Sequence, residues 1–454
     1  MRSRDEGLNG SDAPMPIGAF RRRPGRSGAA CPGQRARLFG GIGPRVILGT
    51  LFSFELLFVL FLSAGRYKGD PRLAWVPIDL TGLFWAASVV VGGWLMCCRA
   101  RINTPALYAT LAMFLFSSWV SLTLLWTPST DYAATKAVYI ATLVTWAYVG
   151  AACVIAPEPA RVWRFFALSA VFGVCIAAEV VAAYVGEDPE SVVHVLGSDT
   201  AHTYIGVGRT VGLAALLLCV FLVWGPRGLP ARGCLLAGLL LCLFSLLVAG
   251  ARGPIASFAI ALAVVFLVIL TAPTSPWRIS RRVKATVACV ALSGLVAVAA
   301  VPFVFEDVFA RTAGRFAALW TESEGDASAG ARLWAWNATL PHLKAGPLAG
   351  YGVGSWPTIV SGYHPRDYPH NIVLEVFFEL GLIGVIMVGG LVGWALVRLS
   401  RIVRQGNPGA VAALLGLSFM LMNAMVSGDV PDNRILFTFI GLGAAYPLVR
   451  RGAQ

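Results

Sequence analysis

The sequence predicts an all-α, polytopic membrane protein, and three observations carry that prediction. Hydrophobic residues make up 57% of the 454 residues and charged residues only 13%, where soluble domains carry about a quarter charged. Apolar runs of about 18 residues or more, the length that crosses ~30 Å of hydrocarbon, recur along nearly the whole chain. Lys and Arg collect in alternate connections between those runs, as expected when they accumulate on the cytoplasmic side.

The elements follow in order. Residues 1–45 are rich in Arg, Gly and Pro and read as a disordered, basic cytoplasmic tail. A twin-arginine export signal does not fit, because over twenty residues separate Arg22 from the first apolar run. That run also lacks a cleavage site, so a retained helix is expected. Nine spans are read in 46–302: 46–65, 74–97, 105–126, 137–156, 164–186, 210–225, 233–250, 254–272 and 285–302. A long outer loop, 303–370, separates them from three more spans within 371–449, at 371–397, 409–427 and 433–449. Residues 450–454 form a second cytoplasmic tail. With the N-terminus inside, 24 of the 36 Lys and Arg fall on the cytoplasmic side, and 5 of the other 12 lie in 303–370. The net charge of +13 is mostly this bias. Anionic headgroups are its secondary partner and nucleic acid is not one. The nine cysteines sit in the tail or the spans, without metal-binding spacing or an outer disulfide framework.

Two predicted outer segments hold all five histidines, 187–209 and 303–370. The second is far longer than a passive connection, and its interleaved Trp, Phe and Leu argue for packed helical structure. Arg252, in the turn AGARGPIASF, stands where a helix starts at Pro254. Beside exposed backbone N–H groups its guanidinium suits a phosphate; the alternative is an arginine that snorkels to lipid headgroups. Arg311 and Arg315 share a helical face, and Arg332 stands one turn before Trp336. These form either a cationic patch aimed at an anionic ligand or pairs with Glu322, Glu324 and Asp326, and Arg209 closes the other polar segment at the start of a span. His370 follows Pro369 and adjoins a helix N-terminus, whose dipole disfavours imidazolium. A neutral ring there can take a proton from a hydroxyl. Asn371, Glu375 and Glu379 continue the same face, either to hold an acceptor or to tie a neighbouring helix. His364 and His370 flank Asp367, but with no metal-site spacing, so no metal or cofactor is expected. The glycines of GYGVGSW, 350, 352 and 354, permit a tight turn or the close approach of a ligand. Glu55, Asp79 and Glu179 fall within predicted spans, where ionisable groups are functional suspects.

The turn AGARGPIASF, the stretch RLWAWNATLPHLKAGPLAGYGVGSW (332–356) and PHNIVLEVFFELGLIG (369–384) together resemble the O-antigen ligase / Wzy polymerase family of bacterial membrane glycosyltransferases. LLWTPSTDYAATKAV (124–138) is similar to the family's pattern of a tryptophan ending a span. The resemblance covers about 105–450. It implies a GT-C-like fold of about 12 helices in the bacterial cytoplasmic (inner) membrane, with an active site facing the periplasm. It implies transfer of a glycan from polyprenyl (undecaprenyl) diphosphate to an acceptor hydroxyl, without metal or nucleotide sugar. It places the family's essential arginine on Arg252, the loop arginine before tryptophan on Arg332, and the histidine on His370. Ala251 departs from the serine of many relatives but leaves the guanidinium in place. The expected roles are then diphosphate binding by Arg252 and Arg332, helped by Arg209 and Arg315. Acceptor handling falls to His370, with Asn371, Glu375 and His364 around it. A polymerase of the same fold is the first alternative, although the arginine–glycine spacing associated with some polymerases is absent. A transporter or flippase of lipid-linked sugars is the second.

Overall fold

Among the described residues the secondary structure is helical throughout. The computed structural model describes residues 53–67, 70–73, 75–99, 104–186, 203–225, 228–271, 327–345, 348–362 and 366–447. The predicted span 285–302 and the tails 1–45 and 450–454 lie outside them.

The helix ends obey local chemistry. α1 (Phe54–Ser63) starts at Ser53, whose hydroxyl accepts from Leu56 N. α2 (Leu80–Arg99) starts after Asp79, whose carboxylate accepts from Thr81 N at 2.8 Å. Asp79 therefore caps a helix and is not an ionisable group within a span. α3 (Thr104–Leu122) and α4 (Ala133–Ile155) follow. α5 (Pro159–Val185) places its proline in the first turn, where the missing N–H costs nothing. Then come α6 (Thr203–Trp224), α7 (Leu229–Ala249) and α8 (Arg252–Leu270). α9 (Ala327–Thr339) is a short helix of the predicted outer loop. α10 (Ile372–Arg404), α11 (Pro408–Ala424) and α12 (Arg434–Ala445) close the chain.

Among the described residues, eight helices, α2–α8 and α10, are long and apolar enough to cross a membrane. α1, α11 and α12 are shorter and overlap three further predicted spans. The molecule is an integral membrane protein. Outward-facing Leu107, Leu111, Phe114, Leu115, Phe266 and Ile386 suit acyl chains, while α11 and α12 are enclosed almost all round. With lipid outside, helices gain nothing from escaping water, so packing and hydrogen bonds must hold them. Phe166 accordingly stacks on Phe439 of α12 and Phe165 meets the same ring at a tilt, at centroid distances of 6.4 and 6.1 Å. Ser117 on α3 hydrogen-bonds Thr145 on α4, within a helix that widens into π turns at Ile140–Val144 and Gly150–Ile155.

Glu55 is buried at the start of α1, paired with Arg161 at 3.3 Å and Arg164 at 3.2 Å on α5. It joins two helix starts, a structural role. Glu179 lies in α5 within electrostatic reach of Tyr67 and Arg66.

α10 positions the site. Its 33 residues span about 50 Å at 1.5 Å each, well beyond ~30 Å of hydrocarbon. Its backbone breaks at Gly381 (φ 68°, ψ −167°). Residues 382–404 supply a rod of roughly 34 Å at that rise, enough for one crossing. The leading half-helix, Ile372–Leu380, projects beyond it.

Candidate active site

The break in α10 exposes backbone carbonyls that a continuous helix would have used. The chain repairs it with its own glycine-rich segment. Tyr351 N donates to Phe378 O at 2.9 Å and Gly352 N to Glu379 O at 2.8 Å. Ile383 N donates to Leu348 O at 3.3 Å, and Trp119 Nε1 to Leu380 O at 3.0 Å. Gly350, Gly352 and Gly354 all have positive φ, a region that glycine enters without steric cost. A Cβ at Gly350 would meet the backbone of Glu379 and Gly381, and one at Gly352 would meet Thr127. A tight turn or the close approach of a ligand was expected here; what lies against Gly350 is the α10 backbone.

Asn371 caps the half-helix, its side-chain oxygen accepting from Val373 N at 3.0 Å and Leu374 N at 3.1 Å. His370, directly before it, has φ 55° and is the one non-glycine residue with positive φ among the described residues. Its ring packs on Tyr368, centroid to centroid 4.5 Å. Glu375 and Glu379 face inward to Lys136 of α4, whose Nζ lies 2.7 Å from Glu375 Oε1 and 2.8 Å from Glu379 Oε1. All three side chains are essentially inaccessible. Of the two roles open to these carboxylates, the tie to a neighbouring helix is the one observed.

The other site residues meet at the connection between α11 and α12. Arg209, buried near the start of α6, donates from one η nitrogen to Asn423 O at 3.1 Å and to Ser427 O. Arg332 on α9 donates from Nε to Val426 O at 2.8 Å. The turn carrying Arg252 abuts the same stretch, since a Cβ at Gly253 would lie 3.3 Å from Val426 Cγ2. It also packs against the residue preceding Arg209, because a Cβ at Gly208 would meet Ala251 and Pro254. Tyr368 Oη accepts from Gly428 N at 3.1 Å and Glu375 Oε1 from Val430 N at 3.1 Å. Burial raises the Tyr368 phenol above its ordinary range, so its proton stays in place. The structure thus brings Arg209, Arg252, Arg332, His370, Asn371 and Glu375 to one end of the bundle. Arg315 and His364 lie outside the described residues, as do Arg311, Glu322, Glu324 and Asp326.

Residues 237–389 match the O-antigen ligase family model. This is the family that the motifs around Arg252, Arg332 and His370 resemble. The match covers about a third of the chain and includes those three residues. No curated protein matches the chain.

Four residues of this end lie outside the O-antigen ligase match and escaped the sequence reading. Lys136 and Tyr132 precede or open α4, and Asp429 and Asp432 belong to the α11–α12 connection. Tyr132 Oη donates to Asp429 Oδ2 at 2.8 Å, and Asp432 N donates to Asp429 Oδ1 at 2.9 Å. Asp432 itself is exposed at the rim. A signal for Lys136 was present, a lysine within the YAATKAVYI run, but its partners lie over 230 residues away. SGDVPDN (427–433) reads as an ordinary polar turn.

Proposed function

We propose that this protein is an O-antigen-ligase-like glycosyltransferase, moving a glycan from a polyprenyl diphosphate to an acceptor hydroxyl on the outer face of the cytoplasmic membrane. One observation carries the proposal: three arginines far apart in sequence meet residues 423–428 at one end of the bundle, and His370 packs on Tyr368, which binds Gly428 there. In this reading Arg252 and Arg332, with Arg209 and Arg315 beside them, bind the donor diphosphate and stabilise the charge that grows as it leaves. Arg209 and Arg332 are oriented by backbone carbonyls before any donor arrives, so little freedom is lost when phosphate binds. His370 orients or deprotonates the acceptor hydroxyl. The hydroxyl oxygen forms the new bond to the anomeric carbon from the face opposite the diphosphate, and the carbon–oxygen bond to phosphate breaks with its electron pair on the diphosphate. Configuration inverts. The arginines supply the positive charge that a metal ion supplies elsewhere, and the reaction proceeds without one.

A specific observation also bears on the transporter reading. Secondary transporters place their sites at interrupted helices, and α10 is interrupted beside three buried charges. Here, however, Tyr351 and Gly352 of the same chain pair with the exposed carbonyls, and one lysine bridges both carboxylates. Glycosyl transfer is the better-supported reading. Within it, attachment of a finished glycan to a lipid or protein acceptor is proposed over chain extension.

The test is purified protein in liposomes with a defined polyprenyl-diphosphate glycan, products being weighed by mass spectrometry. A capped acceptor with released polyprenyl diphosphate is expected; lengthened lipid-linked chains would assign a polymerase instead. His370→Ala and Arg252→Ala should each lower the rate by about 10² or more, the scale of removing a general acid–base or a charge-stabilising donor. EDTA should leave it unchanged. Full transfer by His370→Ala protein would remove the histidine from the chemistry.

A further inference from the structure

The half-helix Ile372–Leu380 cannot orient itself. Nine residues fall short of the ~12–15 that make an isolated helix even marginally stable, and the break at Gly381 uncouples it from the rod below. Just before it, His370 occupies a left-handed conformation that is strained for a non-glycine residue and persists only where the surroundings over-determine it. Something outside the half-helix must hold both.

Lys136 is placed to do so. It belongs to α4, lies outside the matched segment and reaches both carboxylates of the half-helix at 2.7 and 2.8 Å. Glu375 also accepts from Val430 N, and Tyr132, one turn before Lys136, holds Asp429. The start of α4 thereby grips the half-helix and the α11–α12 connection together. Buried ion pairs add little net stability over apolar side chains of similar volume, and their best-attested use is to specify one arrangement among several. Glu375 Oε2 has no hydrogen-bond partner among the described residues, which fits a triad whose value is not stability.

We propose that Lys136 is a positioning residue for the transfer reaction, a latch that fixes the half-helix and so aims His370 at the arginine cluster. The inference rests on the glycosyl-transfer reading, but its structural half can be measured without any transfer.

The experiment uses full-length protein in liposomes, comparing wild type, Lys136→Met, and the exchange Lys136→Glu with Glu379→Lys. The exchange moves the ammonium onto the half-helix while leaving Glu375 to accept from Val430. Hydrogen–deuterium exchange at 368–376 and 428–432 should quicken about tenfold in Lys136→Met, with 408–424 unchanged, as for a local opening. With the defined polyprenyl-diphosphate glycan, kcat should fall about tenfold or more at nearly constant donor KM, the pattern of an interaction realised in the transition state. The exchange variant should recover a large part of both. Unchanged amide exchange in Lys136→Met overturns the latch, and so does a loss confined to KM or the absence of any recovery in the exchange variant. If Lys136→Met does not insert, Glu379→Gln decides in its place, through the same two readouts with a smaller loss in each. Wild-type protein that transfers nothing would sink the glycosyltransferase reading, while the amide-exchange result would still decide the latch.

Discussion

At the scale of single residues, the proposed chemistry turns on guanidinium geometry. Arg209 and Arg332 each point N–H groups at backbone carbonyls of the α11–α12 connection, which fixes the plane in which their remaining edges lie. Lysine offers a flexible point charge in place of a planar fork. Arg252→Lys is therefore expected to retain the charge yet lose about tenfold or more in transfer, since bidentate phosphate geometry is lost. Transfer assays across that series check it, and equal activity would reduce the role of Arg252 to charge alone. Arg252, Arg332 and His370 were legible because each sits in a short motif of unusual composition. Lys136 and Asp429 were not, since a lysine in an apolar run does not reveal that its partners are at 375 and 379. The same distance hid from the sequence that Glu375 and Glu379 tie to Lys136 of a neighbouring helix.

At the scale of elements, α10 is the informative helix. Its apolar run predicted a span, and a span is present, but the break at Gly381 was hidden because a glycine in ELGLIG is unremarkable in a membrane helix. The three glycines of GYGVG suggested a tight turn or the close approach of a ligand; what packs against Gly350 is the chain's own α10 backbone. Gly381→Ala puts a Cβ on a backbone with φ 68° and against Leu348. A loss of more than about 1 kcal/mol is expected for alanine at positive φ, visible as a lower melting temperature in detergent and a matching loss of transfer. A variant as stable as wild type would mean that the break is not required. Asp79 shows the reverse case. Hydropathy swept it into a span, whereas its carboxylate serves the first turn of α2.

At the scale of the whole molecule, hydropathy located the helices well because the bilayer admits few alternatives for an uninterrupted apolar segment. Among the described residues, each predicted span overlaps a helix. The Lys and Arg bias sets the orientation: Gly406, between α10 and α11, should face the cytoplasm, and Arg366, shortly before His370, should face outward. Single cysteines at these positions, in a background stripped of native cysteines, test this with a membrane-impermeant maleimide on intact spheroplasts. Position 366 should label and 406 should not; the opposite pattern would invert the protein and place the arginine cluster where no exterior acceptor can reach it.

The connection between α11 and α12 has a consequence for biogenesis. A nascent chain that has emerged only as far as residue 389 already contains Arg252, Arg332 and His370. It still lacks the carbonyls of residues 423–427 that seat two of the arginines and the amide of Val430 that steadies Glu375. The seating of these arginines therefore depends on α11 and α12, which deliver that turn between them.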